Sequence, residues 1–251
     1  MSTVTEALDD ATAAMTSAVA DVRGVLSEMR ALKDATTGQA TTIIQTFVAR
    51  PPLATIYCDP LNGSDANDGS NVTVPKRDLD AILDGIGNNA TTIILLSDAT
   101  IRRRRGLYAP LNIAGSQRSG NGTINFRRTI TFLGSAENSP VNDTSFCSGF
   151  FCYGPGLTTT FIDFRLPDVP NGLTYRSHLT SMIHTSFSLS SPTITVGSAQ
   201  AGALIGSNLG RATVFADPVL GMGAAGHLFE GIPANTNPNA VWNYSTNITS
   251  A

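Results

Sequence analysis

Four consecutive arginines in "IRRRRG", residues 101–106, are the densest charge in the chain. In a strand, Arg102 and Arg104 face one side while Arg103 and Arg105 face the other, so neither side is purely apolar there. Guanidinium groups pair with phosphate and carboxylate, and the run is typical of an anion site for phosphate, an acidic glycan or nucleic acid. The alternative, which we favour, is that these arginines pair with Asp and Glu of neighbouring strands or chains.

Carboxylates and histidines are the other side chains with catalytic chemistry. A glycan hydrolase needs two carboxylates a few ångströms apart. The candidate catalytic carboxylates are Asp98, Asp163, Asp168 and Glu230. Their spacing shows no paired or acid-rich pattern. His178 and His184 are six residues apart, so they would lie on one face if both stood in one strand. Neither has a recognisable catalytic partner in the sequence. The sequence therefore predicts no catalytic residue and no cofactor, with a polysaccharide-degrading enzyme as the alternative.

The chain has three cysteines, Cys58, Cys147 and Cys152, which are too few and too unevenly spaced for a disulfide framework. Cys147 and Cys152 are close enough in sequence to pair, but small buried thiols are the expectation we prefer. No histidine stands at ligand spacing from them, so no zinc site is predicted.

The composition limits the function classes. The net charge of -3 gives no reason to expect nucleic acid or an anionic membrane as a partner. No charged segment followed by an apolar one opens the chain, so we expect no secretory signal. The longest strongly apolar runs, such as Ile93–Leu96, are too short to cross a bilayer. Low charge and abundant Thr, Ser, Asn and Gly indicate β-structure with many turns.

The first fifty residues carry a heptad pattern. Apolar residues recur every seven positions in two series offset by three or four, which is the a/d seam of a left-handed coiled coil. The seam residues are Val4, Leu8, Ala11, Met15, Ala18, Val22, Val25, Met29 and Leu32. Val19 and Leu26 widen the stripe at e positions, which favours three strands, so we predict a homotrimer. The alternative is an amphipathic helix packed on its own domain.

Several features end this helix. Gly38 weakens it, and two prolines in Arg50–Pro52 cannot continue it.

Beyond residue 92, short apolar runs recur between turn residues, and several alternate with period two as half-buried strands do. The runs are residues 92–96, 111–115, 122–126, 129–134, 159–164, 184–189, 193–197 and 212–217.

Residues 56–70, "IYCDPLNGSDANDGS", place turn formers directly after a strand and before a helical segment with Leu79, Ile82, Leu83 and Ile86 on one face. The motif residues are Asp59, Pro60, Asn62, Gly63, Ser64, Asp65, Asn67, Asp68 and Gly69. This order resembles the N-terminal cap of right-handed parallel β-helix proteins of the pectin-lyase-like type. A cap is needed because the first coil of such a fold has an open edge. Clustered Asp and Asn also suggest calcium, but the spacing does not fit an EF-hand loop, so no metal is predicted.

The predicted fold is therefore mainly β, with an N-terminal α-helical coiled coil followed by a short right-handed parallel β-helix of about five coils of roughly 20–25 residues each. A β-sandwich is the alternative. Arg127 and Arg128 are expected one coil beyond the arginine run. The predicted parts are a stalk at 1–50, a cap at 51–91, a body at 92–217 and a C-terminal cap or tip at 218–251.

Trp242 and Tyr244 stand two apart in a predicted strand in this C-terminal part. If exposed, the pair is a surface for a receptor or sugar ring; if buried, which we prefer, it closes the fold.

The architecture resembles bacteriophage fibre and spike proteins, which are usually homotrimers. The resemblance implies a structural virion protein that attaches to the host surface, and a tail fibre is the preferred candidate. Its partners would be its own copies, tail, baseplate or capsid proteins, and a host glycan or protein. No nucleic acid or membrane insertion is expected, and the protein would reside in the virion after assembly in the host cytoplasm. Alternatives are a head fibre or decoration protein, a polysaccharide-degrading tailspike, and a bacterial surface adhesin.

Overall fold

The computed structural model describes residues 12, 13, 15–17, 19–24, 26–30, 33, 54–139, 146–154 and 156–250. The chain divides into two compact units, Met1–Pro52 and Leu53–Ala251. This division lies two residues beyond the predicted end of the stalk.

The first unit is helical at every described residue, and each of those residues is exposed. Three predicted seam residues are among them: Met15, Val22 and Met29 are 70%, 58% and 63% exposed. Val19 and Leu26 are also about half exposed. The other predicted seam positions lie outside the described residues, and they are Val4, Leu8, Ala11, Ala18, Val25 and Leu32.

The second unit is built from three sheets, called A, B and C. Sheet A contains, in spatial order, β1 (Ala54–Cys58), β2 (Thr91–Leu95), β5 (Leu111–Ser119), β9 (Leu157–Thr160), β12 (Thr185–Ser190), β15 (Ala212–Ala216) and β17 (Tyr244–Thr246). Sheet B contains β3 (Ala99–Ile101), β7 (Arg128–Phe132), β10 (Ile162–Leu166), β13 (Thr193–Val196) and β16 (Val219–Leu220). Sheet C contains β4 (Arg104–Leu107), β8 (Gly149–Cys152), β11 (Ser177–Ser181) and β14 (Ala203–Ser207).

The chain passes through sheets A, B and C in that order and then returns to sheet A. One such passage is called a round below. Each round adds one strand beside the strand of the previous round, so the spatial order in every sheet follows the chain order. The neighbouring strands pair parallel, apart from β6 (Gly122–Asn125), which forms an antiparallel hairpin with β5. The prediction of a mainly β protein is confirmed, and the parallel pairing differs from the antiparallel pairing of a β-sandwich.

The rounds are longer than the expected 20–25 residues. Thr91 pairs with Leu111, twenty residues later, but Leu111 pairs with Leu157 and Leu157 with Phe187. The hairpin and the loops between strands take up the additional residues. Irregular connections of this kind carry no periodic signal, which is why the sequence pattern underestimated the length of a round.

The core lies between the three sheets. Several strands of sheets A and B alternate buried and more exposed residues, whereas β11 of sheet C is buried throughout. Parallel pairing places buried residues of successive rounds side by side, as Phe164 lies between Ile130 and Ile194. The largest fully buried side chains include Phe132, Phe150, Phe164, Phe187 and Phe229. Full burial of one such side chain contributes roughly 1.5–3 kcal/mol.

A short helix, α1 (Leu79–Gly85), precedes β2. It begins where the side chain of Asp78 accepts a hydrogen bond from the backbone N–H of Asp80, 2.9 Å away. Its buried residues Leu79, Ile82 and Leu83 belong to the same hydrophobic cluster as the core of the sheets. At the other end, a 3-10 turn at Pro238–Ala240 precedes β17.

Candidate functional site

The arginine run lies beside α1 and forms ion pairs with its acidic residues. Arg102 Nη2 is 2.7 Å from Asp78 Oδ1, and Arg103 Nη1 is 3.1 Å from Asp84 Oδ2. Glu137 lies within 4 Å of both arginines. Three of the four arginines, Arg105 included, therefore meet carboxylates of the same chain. These carboxylates lie on or next to α1 and at Glu137, and not on a neighbouring strand or chain as expected.

Arg105 and Asp80 form the most buried of these pairs. Their side chains are 10% and 4% exposed, and Arg105 Nη1 is 2.6 Å from Asp80 Oδ1. Asp80 also accepts the backbone N–H of Arg102 at 3.0 Å. Arg105 hydrogen-bonds to Asp84 as well, and this bond is the main reason why the pKa of Asp84 lies below its usual value. The pairs attach α1 to β4, the first strand of sheet C.

Arg104 differs from its neighbours because it is buried and meets no carboxylate in an ion pair within the described residues. Its guanidinium donates to the carbonyl oxygens of Cys147, at 3.3 Å, and Ser177, at 2.5 Å, and to the hydroxyl of Thr180. The guanidinium also lies 4.1 Å from the centroid of the Phe151 ring. No residue next to the run marks Arg104 as the buried arginine, because its partners Cys147, Ser177 and Thr180 are more than forty positions away.

A cleft of about 260 Å³ lies next to the arginine network. Its charged lining residues have both signs, and they are Asp65, Asp78, Asp98, Arg77 and Arg102. Among the described residues, no group of three or more His, Cys, Asp or Glu is placed to hold a metal ion.

The turn-rich loop after β1 is held by its own side chains. Asp59 accepts from the backbone N–H of Asn62 at 3.1 Å and from the Ser97 hydroxyl at 2.8 Å. Asp65 accepts from the backbone N–H of Asp78, and Asp68 from that of Ser70. The Asp and Asn of the motif thus act as hydrogen-bond partners for the backbone, which is the role expected of a cap.

Two glycines and the remaining motif residues complete this loop. A β-carbon at Gly63 would stand 2.5 Å from the Lys76 carbonyl oxygen, and Gly69 has a φ of +74°. Asn67 donates to the carbonyl oxygen of Pro75 at 2.9 Å, and Pro60 lines the cleft described above. Glycine is required at Gly63 for space and at Gly69 for the backbone conformation.

Asp59 is buried, and burial by itself raises the pKa of its carboxyl group. The hydrogen bonds from Ser97 and Asn62 outweigh this effect, so the pKa of Asp59 lies below its usual value. The carboxylate is thus held in its charged form inside the turn-rich loop.

The four carboxylates considered for catalysis have separate structural contacts. Asp98 accepts the backbone N–H of Thr129, and Asp168 accepts the Ser198 hydroxyl. Asp163 accepts the backbone N–H of Thr193 at 2.6 Å and pairs with Arg127 at 2.7 Å. Arg128 instead donates to the carbonyl oxygen of Ser116, so neither Arg127 nor Arg128 takes part in the network beside α1.

The fourth carboxylate and the histidines lie elsewhere. Glu230 borders a second cleft of about 250 Å³ together with Arg176 and His227. His178 is fully buried and stacks on Phe132, with ring centroids 4.4 Å apart, whereas His184 is exposed. The two histidines therefore do not share a face, because β11 ends before His184 and the chain turns there.

The three cysteines are free and buried. Burial raises the pKa of the Cys147 thiol to about 11 and that of Cys58 and Cys152 to about 12. Thiols with these pKa values are poor nucleophiles at neutral pH.

Trp242 and Tyr244 do not form one exposed surface. Trp242 is 70% exposed in a turn, while Tyr244 begins β17 and is only 3% exposed. The Tyr244 hydroxyl donates to the Glu230 carbonyl oxygen at 3.0 Å, and its ring lies 5.0 Å from that of Phe229. The strand predicted at 240–245 begins only at Tyr244, because the 3-10 turn ends at Ala240 and a second turn follows at Trp242 and Asn243. Tyr244 thus closes the core, and Trp242 stands alone.

An aromatic surface on sheet C was missed at the sequence level. It comprises Tyr108, Phe146, Phe151, Tyr153 and Tyr175 and is called the aromatic patch below. The sequence held one signal for it: "YAP" at 108–110 and "YGP" at 153–155 follow two strands of sheet C.

Comparisons of the chain with protein-family models, with curated proteins and with solved structures found no match. Within the described part of the chain, no helix has the length and apolar character needed to span a membrane.

Proposed function

We propose that this protein is a homotrimeric fibre or spike protein of a bacteriophage virion, and that it attaches the particle to the host surface. A tail fibre is the candidate that we prefer. The first unit would be a coiled-coil stalk and the second a short right-handed parallel β-helix with an N-terminal cap. Its partners would be its own copies, other tail, baseplate or capsid proteins, and a host surface glycan or protein. A head fibre or decoration protein would have the same architecture.

The observation that carries this proposal is the exposed apolar stripe on the N-terminal helix. Met15, Val22 and Met29 are spaced by seven residues, and each is more than half exposed. A helix that exposes a regular apolar stripe to water gains stability by burying it against other helices. A seven-residue period places that stripe on one side of a supercoiled helix, which is the geometry of self-association.

The strand order supports the second part of the proposal. Strands added in chain order to three parallel sheets are what a β-helix requires, and parallel crossovers within one sheet are almost always right-handed. The buried apolar face of α1 and the hydrogen-bonded loop around Asp59 support its assignment as a cap.

Contacts of the carboxylates support an adhesive role over an enzymatic one. Asp163 is engaged by Arg127 and by the backbone of Thr193, and Asp98 and Asp168 by neutral donors. These contacts fix the ends of neighbouring strands.

The decisive experiment measures the native mass of the intact chain, and of a shortened chain that begins at Leu53, by light scattering. We expect three times the chain mass of 26.3 kDa for the intact protein and loss of the trimer on shortening. A monomeric intact chain would contradict the proposal.

A pair of double variants tests whether the stripe is responsible. Val22→Asp with Met29→Asp places two charges in the seam and should abolish the trimer. Ala20→Asp with Ser27→Asp places the same charges seven residues apart on the opposite helix face and should leave the mass unchanged. Equal effects of both double variants would mean that charge in the helix, and not the seam, controls assembly.

A further inference from the structure

The aromatic patch lies on the outer face of sheet C. Phe150 points into the core, so its neighbour Phe151 points outward. Gly106 pairs with Phe151 in register, and a β-carbon at Gly106 would stand 2.6 Å from the Tyr108 ring. The Tyr108 ring therefore covers Gly106 on this outer face, beside Phe151.

Tyr108 and Tyr153 form a stacked pair at the edge of the patch. Their ring centroids are 4.9 Å apart, and the ring planes differ by 7°. The backbone holds this stack, because the N–H of Tyr153 donates to the Leu107 carbonyl oxygen at 2.9 Å and so sets the two tyrosines one round apart. Tyr108 is 56% exposed while Tyr153 is half-buried, so the Tyr108 side of the stack is the accessible one.

The rest of the patch is fixed from below and from the side. Phe151 meets Tyr175 edge to face, with centroids 4.9 Å apart, and Phe146 at 5.6 Å. The buried guanidinium of Arg104 supports the Phe151 ring from beneath. Asn208 donates its side-chain amide to the Tyr175 hydroxyl at 3.1 Å. The rings are therefore held before any ligand arrives, which lowers the entropy cost of binding.

The chemistry of this surface combines flat apolar faces with polar groups at their edges. The tyrosine hydroxyls and the Asn208 amide both donate and accept hydrogen bonds. A pyranose ring has the complementary arrangement, with C–H groups on one face and hydroxyls around its rim. Aromatic residues with a polar tip suit such a ligand because they provide contact area and hydrogen bonds together.

We propose that the aromatic patch is a carbohydrate-binding site, in which a neutral pyranose stacks on Tyr108 and hydrogen-bonds at the rim of the patch. The inference deepens the proposed function, since it names the class of host-surface ligand and the residues that contact it. It moves the predicted sugar contact from Trp242 and Tyr244 to sheet C. Ile183 and Leu209, which follow strands β11 and β14 of sheet C, are also exposed, and a second copy of the chain covering them is the alternative that the test below distinguishes.

The test uses saturation-transfer NMR on the intact protein with maltotriose, cellotriose and chitotriose as probes, followed by titration of each sugar that responds. Transfer to ring C–H protons of at least one sugar is expected. Tyr108→Ala and Tyr153→Ala should each weaken binding by about fivefold or more. Tyr108→Phe keeps the aromatic ring and should lose less affinity for the sugar than Tyr108→Ala. Trp242→Ala, which removes an exposed aromatic residue elsewhere, should bind as the original protein does.

Three results of the binding measurements would overturn the inference. They are no transfer to any of the three sugars, binding that survives both alanine variants, and binding that is lost in Trp242→Ala. Light scattering on the same samples separates this inference from the proposed function. A trimer that binds no sugar refutes only the carbohydrate site, and a monomer that binds sugar through Tyr108 refutes only the fibre. A lower native mass of the Tyr108→Ala protein would show that a second copy covers the patch, which also overturns the inference.

Discussion

Arg104 in β4 donates a hydrogen bond to the carbonyl oxygen of Ser177 in β11, two rounds further along the chain. The same guanidinium reaches Thr180, also in β11, and Cys147, just before β8. Parallel strands normally bond only to their immediate neighbours. One side chain therefore joins three successive strands of sheet C, and the planar, forked guanidinium suits this task better than an ammonium group.

Replacing Arg104 by lysine should destabilise the second unit. The ammonium of lysine cannot reach all three acceptors together, and it leaves part of a buried polar cluster unsatisfied. We expect Arg104→Lys to lower the free energy of unfolding by about 2 kcal/mol. Urea unfolding followed by circular dichroism measures the loss. Arg102→Lys is the matched control, since its side chain is 38% exposed and its loss should stay below about 1 kcal/mol. Equal losses would mean that the burial of Arg104 has no energetic consequence.

The buried pair of Asp80 and Arg105 leads to a second prediction. Asp80→Asn removes a buried negative charge and leaves Arg105 without the more buried of its two carboxylate partners, so we expect a loss of about 3 kcal/mol in the free energy of unfolding. Asp84→Asn changes a carboxylate that is 43% exposed and should cost at most about 1 kcal/mol. Chemical denaturation of both variants gives the comparison. If Asp84→Asn is the more damaging change, the attachment of α1 depends on the solvent-exposed pair.

His178 predicts a pH dependence of stability. Burial lowers the pKa of its imidazole to about 3, whereas the ordinary value is 6.5. Between these values the unfolded chain binds a proton that the folded chain does not, so stability falls as the pH falls from 6.5 towards 3. The expected slope is about 1.4 kcal/mol per pH unit.

The measurement compares urea unfolding at pH 6.5 and pH 4.5 for the original protein and for His178→Asn. Asparagine can still donate to the Ser148 carbonyl oxygen, which the imidazole contacts at 2.8 Å, but it does not titrate. The free energy of unfolding of the variant should be lower at pH 6.5, and it should differ less between the two pH values. An identical pH dependence in both proteins would show that other groups are responsible.

Two glycines should respond to alanine in opposite directions. A β-carbon at Gly206 would collide with the Ser177 hydroxyl and the Glu230 carboxylate, so Gly206→Ala should cost about 2 kcal/mol. Gly85, the last residue of α1, has open space around its β-position and no positive φ, so Gly85→Ala should add about 0.5 kcal/mol. Thermal unfolding of the two variants tests both signs. A stabilising Gly206→Ala would mean that the packing on the outer face of sheet C is loose.

Local patterns predicted several strands of sheets A and B because their causes are local, whereas no predicted run corresponds to a strand of sheet C. The apolar run "TIILL" and the turn chemistry around Asp59 act within a few residues, and β2 and the turn-rich loop lie where these signals stand. The burial of Arg104 depends on residues more than forty positions away, and no pattern near the run indicates it. Tyr108 and Tyr153 are likewise brought together by the register between β4 and β8, which the variable length of the rounds hides.

The strand order has a mechanical consequence. Each round contacts the round before and the round after it, so a force that pulls the two ends of the second unit apart would detach rounds one by one from an end. Each detached round of about 30 residues would lengthen the chain by roughly 100 Å. Arg104 interrupts this sequence because it spans three strands of sheet C. The rounds near α1 would therefore separate together and at a higher force than those near β17.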